Sequence, residues 1–174
     1  HISRLKKSLE ELRIITPFSN IVSLKIIIEN LIKINNLEHG FIYLQITRGT
    51  AKRNHLFPEQ SKPNVVIFSL PDKDLINLRK GVKIGLIEDK RWLRCDIKSI
   101  SLLPNVLDKQ SGFEQGFFEV WQVRNNLITE GTTSNAFIVK DERIFTHPKN
   151  NFILGGVTRD CVVKIAKENK IDIQ

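Results

Sequence analysis

Several places in the 174-residue chain bring together side chains whose types and spacing suit bond-making chemistry. In CDIKS, Lys98 follows a run that reads as strand-like and precedes a stretch rich in Ile and Leu. Desolvation by apolar surroundings lowers a lysine pKa, and the neutral amine is the nucleophile a Schiff base requires. Taken alone, Lys98 reads first as a solvated surface residue, because lysine is rarely fully buried. Glu130, in ITEGTTSN, falls between a predicted strand and a polar turn. Such a carboxylate either caps turn amides or faces a protonated ring nitrogen and so makes the ring an electron sink. Val157 and Thr158 follow Gly155 and Gly156 and open a predicted helix, with Thr158 as its expected cap. Free amides and the positive dipole end there suit an anion, phosphate above all, although many helix starts bind nothing. Arg53 and His55, two residues apart in RGTAKRNHLFPE, either hold a carboxylate together or belong to a solvated basic loop. Cys95, Asp96 and His147 stand ungrouped and are assigned structural roles, and no P-loop, zinc spacing or GxSxG elbow is present.

The elements that must position these residues follow from periodicity. Ile2, Leu5, Leu9 and Leu12 mark an amphipathic helix that stops before Pro17. A second helix is capped by Ser19 or Asn20, carries Ile21, Leu24, Ile27, Ile28 and Leu31 on one face, and ends in 36–40. Residues 41–47 (FIYLQIT) and 64–70 (NVVIFSL) read as strands around a long basic and aromatic loop, 48–62. A turn-rich break at Pro71, Asp72, Lys73 and Asp74 separates a domain 1–70 from a domain 71–174. Beyond it come a strand at 82–87, a helix at 99–110 with Ile100, Leu103 and Leu107 on one face and Pro104 in its first turn or bending it, and a strand at 117–124. Hairpins turn at Asn125–Asn126 and around Asp141 and Glu142, and a last helix follows Gly155–Gly156.

Composition bounds the class. With 41% hydrophobic and 26% charged residues, the chain has an ordinary globular make-up rather than a disordered, collagenous or disulfide-scaffolded one. The net charge of +8 is spread along the chain and mixed with acids, so a basic enzyme is expected rather than a nucleic-acid or membrane binder. Two distant cysteines without CxxC spacing read as free thiols, no metal site is expected, and the protein is read as cytoplasmic. The chain opens at His1, contains no methionine and stops at Gln174 in what reads as the start of a strand, so a segment of a longer protein is expected.

Taken in order, TRGTAKRNHLFPE, RWLRCDIKSISLLPNVLDKQ and NNLITEGTTSNAFIVKDERIFTHPKNNFILGGVTRD, with the opening HISRL, make the chain resemble the class IV (fold type IV) pyridoxal-phosphate aminotransferases, most closely the D-amino acid aminotransferases. The resemblance covers essentially the whole chain. It implies an α+β fold with a small α/β N-terminal domain and a larger β-rich pseudo-barrel domain, both incomplete here. It implies pyridoxal 5′-phosphate as cofactor, Lys98 as the Schiff-base lysine, Glu130 as partner of the pyridine nitrogen, and Arg4 with Val157 and Thr158 at the phosphate. Arg53 and His55 match the pair that grips the substrate carboxylate from the neighbouring subunit of a homodimer. The implied reaction is amino-group exchange between a D-amino acid, such as D-alanine or D-glutamate, and a 2-oxo acid. Branched-chain aminotransferases and aminodeoxychorismate lyases share the lysine and glutamate and are the alternatives within the family; an inactive remnant or a basic binding module is the alternative outside it. Pro104 in place of glycine, GTTSN in place of GSSSN and the aromatic residues of 117–124 depart from the close relatives' pattern.

Overall fold

The structure is a computed structural model and describes residues 1–71 and 80–174. The chain divides into two compact units, Ile2–Asn77 and Leu78–Gln174, the latter together with His1. Of the expected break, Pro71 ends a strand and Asp72–Asp74 lie outside the described residues.

The first unit holds helices α1 (Ile2–Glu11) and α2 (Ile21–Ile34) and an antiparallel pair, β1 (Gly40–Thr47) with β2 (Asn64–Pro71). Asn20 caps α2 by accepting the Ser23 N–H at 2.9 Å, the bond that favours Asn at this position. Of the expected apolar face of α2, Leu24 is buried and Ile28 and Leu31 are half-buried, while Ile21 and Ile27 stay exposed. Tyr43 lies opposite Phe68 in the β1–β2 register, with their rings stacked at 4.7 Å. Arg48 secures the start of the following loop: its guanidinium donates to the Leu12 and Arg13 carbonyls and lies 3.6 Å from the Phe57 ring centre.

The second unit is built on a three-stranded sheet ordered β3 (Ile84–Glu88), β4 (Glu119–Arg124), β5 (Leu127–Gly131). β3 and β4 run parallel, so a crossover must join them, and α3 (Leu103–Glu114) lies on it. α3 begins four residues later than the sequence pattern predicts. Started at Ser99, it would place Pro104 in the interior, where the ring clashes with the preceding turn's carbonyl; started at Leu103, it holds Pro104 in the first turn, where no N–H is needed. The helix meets β4 through Asp108 and Gly112, both buried, while Ile100, Leu103 and Leu107, the expected packing face, are exposed. Gln122 of β4 donates to the Asp108 carboxylate at 2.8 Å.

Asn125 and Asn126 turn β4 into β5 with φ of 51° and 64°, the left-handed pair of a tight two-residue hairpin. The β4–β5 register then slips, pairing Val123 with Ile128 but Trp121 with Gly131. Thr129 and Glu130 together therefore oppose Gln122, as in a β-bulge. β5 extends past the predicted end at Thr129, so Glu130 sits within a strand and not in the turn after it. A second hairpin, β6 (Ile138–Lys140) with β7 (Arg143–Phe145), turns on Asp141 and Glu142. Helix α4 (Val157–Glu168) follows, and Ile173 then bridges in parallel to Ile144.

Because Gly112 has no side chain, α3 presses directly onto β4: a Cβ there would lie 2.1 Å from Val120 Cγ2. Gly112→Ala is expected to cost about 1–3 kcal/mol from overpacking, in spite of alanine's better helix propensity. Urea unfolding of the variant beside the parent measures the loss.

Candidate active site

The second unit concentrates charge in its interior. Asp89 follows β3 directly and continues its pairing, its N–H donating to the Val123 carbonyl at 2.8 Å. Two residues on, the Arg91 side chain is 4% exposed and serves several acceptors. Nε and Nη2 grip the two Asp89 oxygens at 2.9 Å each, Nη2 also donates to Phe152 O at 3.0 Å and Thr129 Oγ1 at 3.2 Å, and Nη1 donates to Glu130 Oε1. The bulge explains how consecutive residues reach one guanidinium: strict strand alternation would send one of Thr129 and Glu130 outward, and here both are buried.

Glu130 accepts three donors. Besides Arg91, Asn135 Nδ2 reaches Oε2 at 2.9 Å, and the Leu154 N–H straddles both oxygens at 3.1 and 3.0 Å. Burial pushes the Glu130 carboxyl up, and the Arg91 hydrogen bond and charge and the Leu154 amide pull it back only in part. Burial acts on Asp89 in the same sense, but the Arg91 donors outweigh it and hold the carboxyl below its ordinary value. The neighbouring Cys95 thiol is raised by burial, against the pull of Arg91, which suits an inert core thiol donating to Trp92 O at 3.3 Å.

Another buried carboxylate fixes the turn after β5. Glu119 accepts from the hydroxyls of Thr132, Thr133 and Ser134, from the Val120 and Thr133 N–H groups, and from Lys109 Nζ at 3.3 Å. Burial would raise its pKa, yet these donors win and hold it at about 2.

Asn135 links the carboxylate to the start of α4. Its amide also donates to Leu154 O at 2.9 Å, and a Cβ on Gly156 would stand 2.1 Å from Asn135 Oδ1, so only glycine allows this approach. Gly156, rather than the expected Thr158, is the N-cap of α4. No side chain caps this end, and Val157 and Thr158 are the first residues of the helix. Lys98 lies in the same unit and is exposed. The segment before it is pinned, with Cys95 and Ile97 buried and the Cys95 N–H bonded to Asn151 O at 2.8 Å. Arg4, half-buried on α1, and Arg53 and His55, exposed in the loop after β1, belong to the first unit. Sequence reasoning passed over Asp89, Arg91, Asn135 and Glu119. Arg91 and Asn135 stood inside the RWLRCDIKS and TEGTTSN motifs, but nothing in their spacing marked them as buried.

Comparison with known proteins decides the family. The profile of the family described as Amino-transferase class IV matches residues 1–174. The chain belongs to the class IV aminotransferases. It is 39% identical over 173 residues to a D-alanine aminotransferase of Staphylococcus haemolyticus, covering 98% of this chain and 61% of that one. With a D-alanine aminotransferase of Bacillus licheniformis it shares 41% over 175 residues, covering 100% of this chain and 62% of the relative. The chain thus spans about three fifths of the length of the curated relatives it matches. In fold it superposes on a branched-chain amino acid aminotransferase of Escherichia coli with a TM-score of 0.86 at 24% identity, covering 100% of this chain and 60% of that one. A putative 4-amino-4-deoxychorismate lyase of Legionella pneumophila gives 0.85 at 23% identity, covering 100% and 65%.

Class IV aminotransferases depend on pyridoxal 5′-phosphate, and the residues of the second unit fit that group. Glu130 is a buried carboxylate held in a fixed orientation by Arg91, Asn135 and the Leu154 amide, the kind of group that suits a protonated ring nitrogen. The N-terminus of α4, free of a side-chain cap behind two glycines, has the amides and dipole end that suit a phosphate.

The Glu119 clamp makes stability depend on acid pH. Its folded pKa of about 2 lies below the ordinary 4.5, so its contribution is complete above about pH 4.5 and disappears as pH falls toward 2. The contribution is about 3 kcal/mol. Unfolding free energies measured between pH 7 and pH 2.5 should converge for the parent and Glu119→Gln at the acid end, with the parent clearly more stable at neutral pH.

Proposed function

We propose that the protein is a pyridoxal-phosphate-dependent transaminase that moves an amino group between a D-amino acid, such as D-alanine or D-glutamate, and a 2-oxo acid. The reading includes a homodimer in the cytoplasm. Its chief support is the buried Glu130 carboxylate, which Arg91 and the Leu154 amide hold in place and which Asn135 ties to the uncapped start of α4. Identity of about 40% to D-alanine aminotransferases over the whole chain favours D-amino acids as substrates. Two free cysteines agree with a reducing compartment.

When bound, the cofactor supplies an aldehyde for covalent attachment and a ring that accepts the electron pair released at the substrate's α-carbon. The chain's own residues do the rest. Lys98 provides the amine for attachment, and its Nζ then carries the proton to and from the α-carbon as general base and acid. Glu130 holds the proton at the ring nitrogen. The amides of Val157 and Thr158 hold the phosphate, with Arg4 as a further contact by resemblance. Arg53 and His55, brought by the second subunit, grip the substrate's α-carboxylate, the guanidinium with two parallel donors and the imidazole with one more. That grip fixes which face of the α-carbon meets Lys98, and so the enantiomer.

Lys98→Ala should lose the visible absorption of covalently held cofactor, read by spectrophotometry. Arg53→Ala should raise KM about ten- to a hundredfold, the scale of one charge-assisted contact, with a smaller rise for His55→Ala. The deciding assay offers D-alanine and L-leucine separately with 2-oxoglutarate. D-alanine should react; preference for L-leucine would move the protein to the branched-chain enzymes, and pyruvate release from aminodeoxychorismate would move it to the lyases. Sedimentation should find the active species dimeric, and a fully active monomer would remove the shared carboxylate grip.

A further inference from the structure

The reading above uses Glu130 but leaves unexplained the charges built behind it. Asp89, Arg91, Arg124 and Glu130 form one buried array: Asp89 is paired with Arg91 at 2.9 Å and with Arg124 at 3.2 Å, and Arg91 is paired in turn with Glu130. The Asp89 side chain is 0% exposed, that of Arg91 4% and that of Glu130 7%, so none is screened appreciably by solvent. Buried ion arrays of this kind are rarely the cheapest way to fill a core, and a chemical purpose accounts for this one.

The geometry of the guanidinium supplies it. Asp89 occupies Nε and one face of Nη2 in a two-point grip, which leaves Nη1 directed at Glu130 Oε1. A lysine, with a single point charge, cannot hold two carboxylates in a fixed relative orientation, whereas the planar fork of arginine does. The Thr129 hydroxyl closes the arrangement, donating to Asp89 Oδ2 at 3.1 Å or to Gln122 O at 3.0 Å while it accepts from Arg91 Nη2. Charge follows the same logic. An Arg91–Glu130 pair alone is neutral, and its cationic half would repel a protonated ring brought to Glu130. With Asp89 bound to Arg91 at Nε and Nη2, away from Nη1, the three groups carry a net negative charge, and Arg124 balances it at the Asp89 end of the array, its Nη2 on Asp89 Oδ1 at 3.2 Å and on the Arg91 carbonyl at 2.8 Å.

We propose that Asp89 and Arg91 are positioning residues for the ring nitrogen of the cofactor: Arg91 aims the Glu130 carboxylate, and Asp89 cancels the Arg91 charge so that the charge of Glu130 remains available to the cation. The proposal rests on the assignment of Glu130 made above, and the test separates the two.

The protein is stripped of cofactor and titrated with pyridoxal 5′-phosphate and with its 1-deaza analogue, in which carbon replaces the ring nitrogen. The ratio of the two dissociation constants isolates what the protein does at that nitrogen, and a general loosening of the fold moves both constants together. The parent should prefer pyridoxal 5′-phosphate about ten- to a hundredfold, as a charge-assisted hydrogen bond provides. Asp89→Asn should lower that preference about tenfold, and Thr129→Val, which removes only the closing hydroxyl, should lower it by less. If Asp89→Asn does not fold, as judged by its thermal unfolding, Thr129→Val decides. An unchanged ratio in the folded variants, with the parent's preference intact, overturns this proposal alone. Equal affinity of the parent for both compounds overturns the role of Glu130 and this proposal with it.

Discussion

The second unit is organised around one constraint: a guanidinium almost wholly shut off from water must be met by acceptors within the fold. Arg91 meets it with Asp89, Thr129, Glu130 and Phe152 O, which come from the end of β3, from β5 and from the segment before α4. Those elements are far apart in sequence, so satisfying Arg91 draws them together. Removing any acceptor leaves a buried charge or donor unpaired, which costs several kcal/mol and far exceeds what the same pair is worth at a surface. Such an array contributes little to net stability and a great deal to where its members sit.

The bulge in β5 is the local device that makes the array possible. One extra residue opposite Gln122 turns Thr129 and Glu130 inward together, so a hydroxyl and a carboxylate reach the same guanidinium. Glu119 then holds the residues that follow, gathering the hydroxyls of Thr132, Thr133 and Ser134 around one carboxylate. Asn135 emerges from that turn already oriented, with its amide on Glu130 and its oxygen against Gly156. Asn135 thereby adds a direct link between the strand that carries the candidate ring partner and the start of the helix that carries the candidate phosphate amides.

Lys98 is presented differently. Its loop has neither helix nor strand, and its position comes from burial of Cys95 and Ile97 and from the Cys95 bond to Asn151 O. A loop held this way fixes the backbone before Lys98 without help from a regular element.

The sequence by itself determined the class of the protein and much of its layout. Strand and helix periods located every described element within a few residues, since each depends on local pattern and on turn residues such as Asn125 and Asn126, but the strand-like run before Lys98 forms a loop and no strand. As candidates, Lys98, Glu130 and the Gly155–Gly156 helix start were legible because motif and spacing are properties of the chain. The sequence misplaced what depends on distant partners. α3 offered Leu103 and Leu107 as its packing face, but β4 took Asp108 and Gly112, because the glycine permits closer approach than any side chain. Glu130 read as a turn residue, because a one-residue register slip is set by β4 across the hairpin and leaves no mark on β5 alone. Arg91 and Asp89 drew no notice in the sequence, because burial belongs to the folded unit and not to the residue. Tertiary structure alone decided that these charges are inside, and being inside gives them their hold on Glu130.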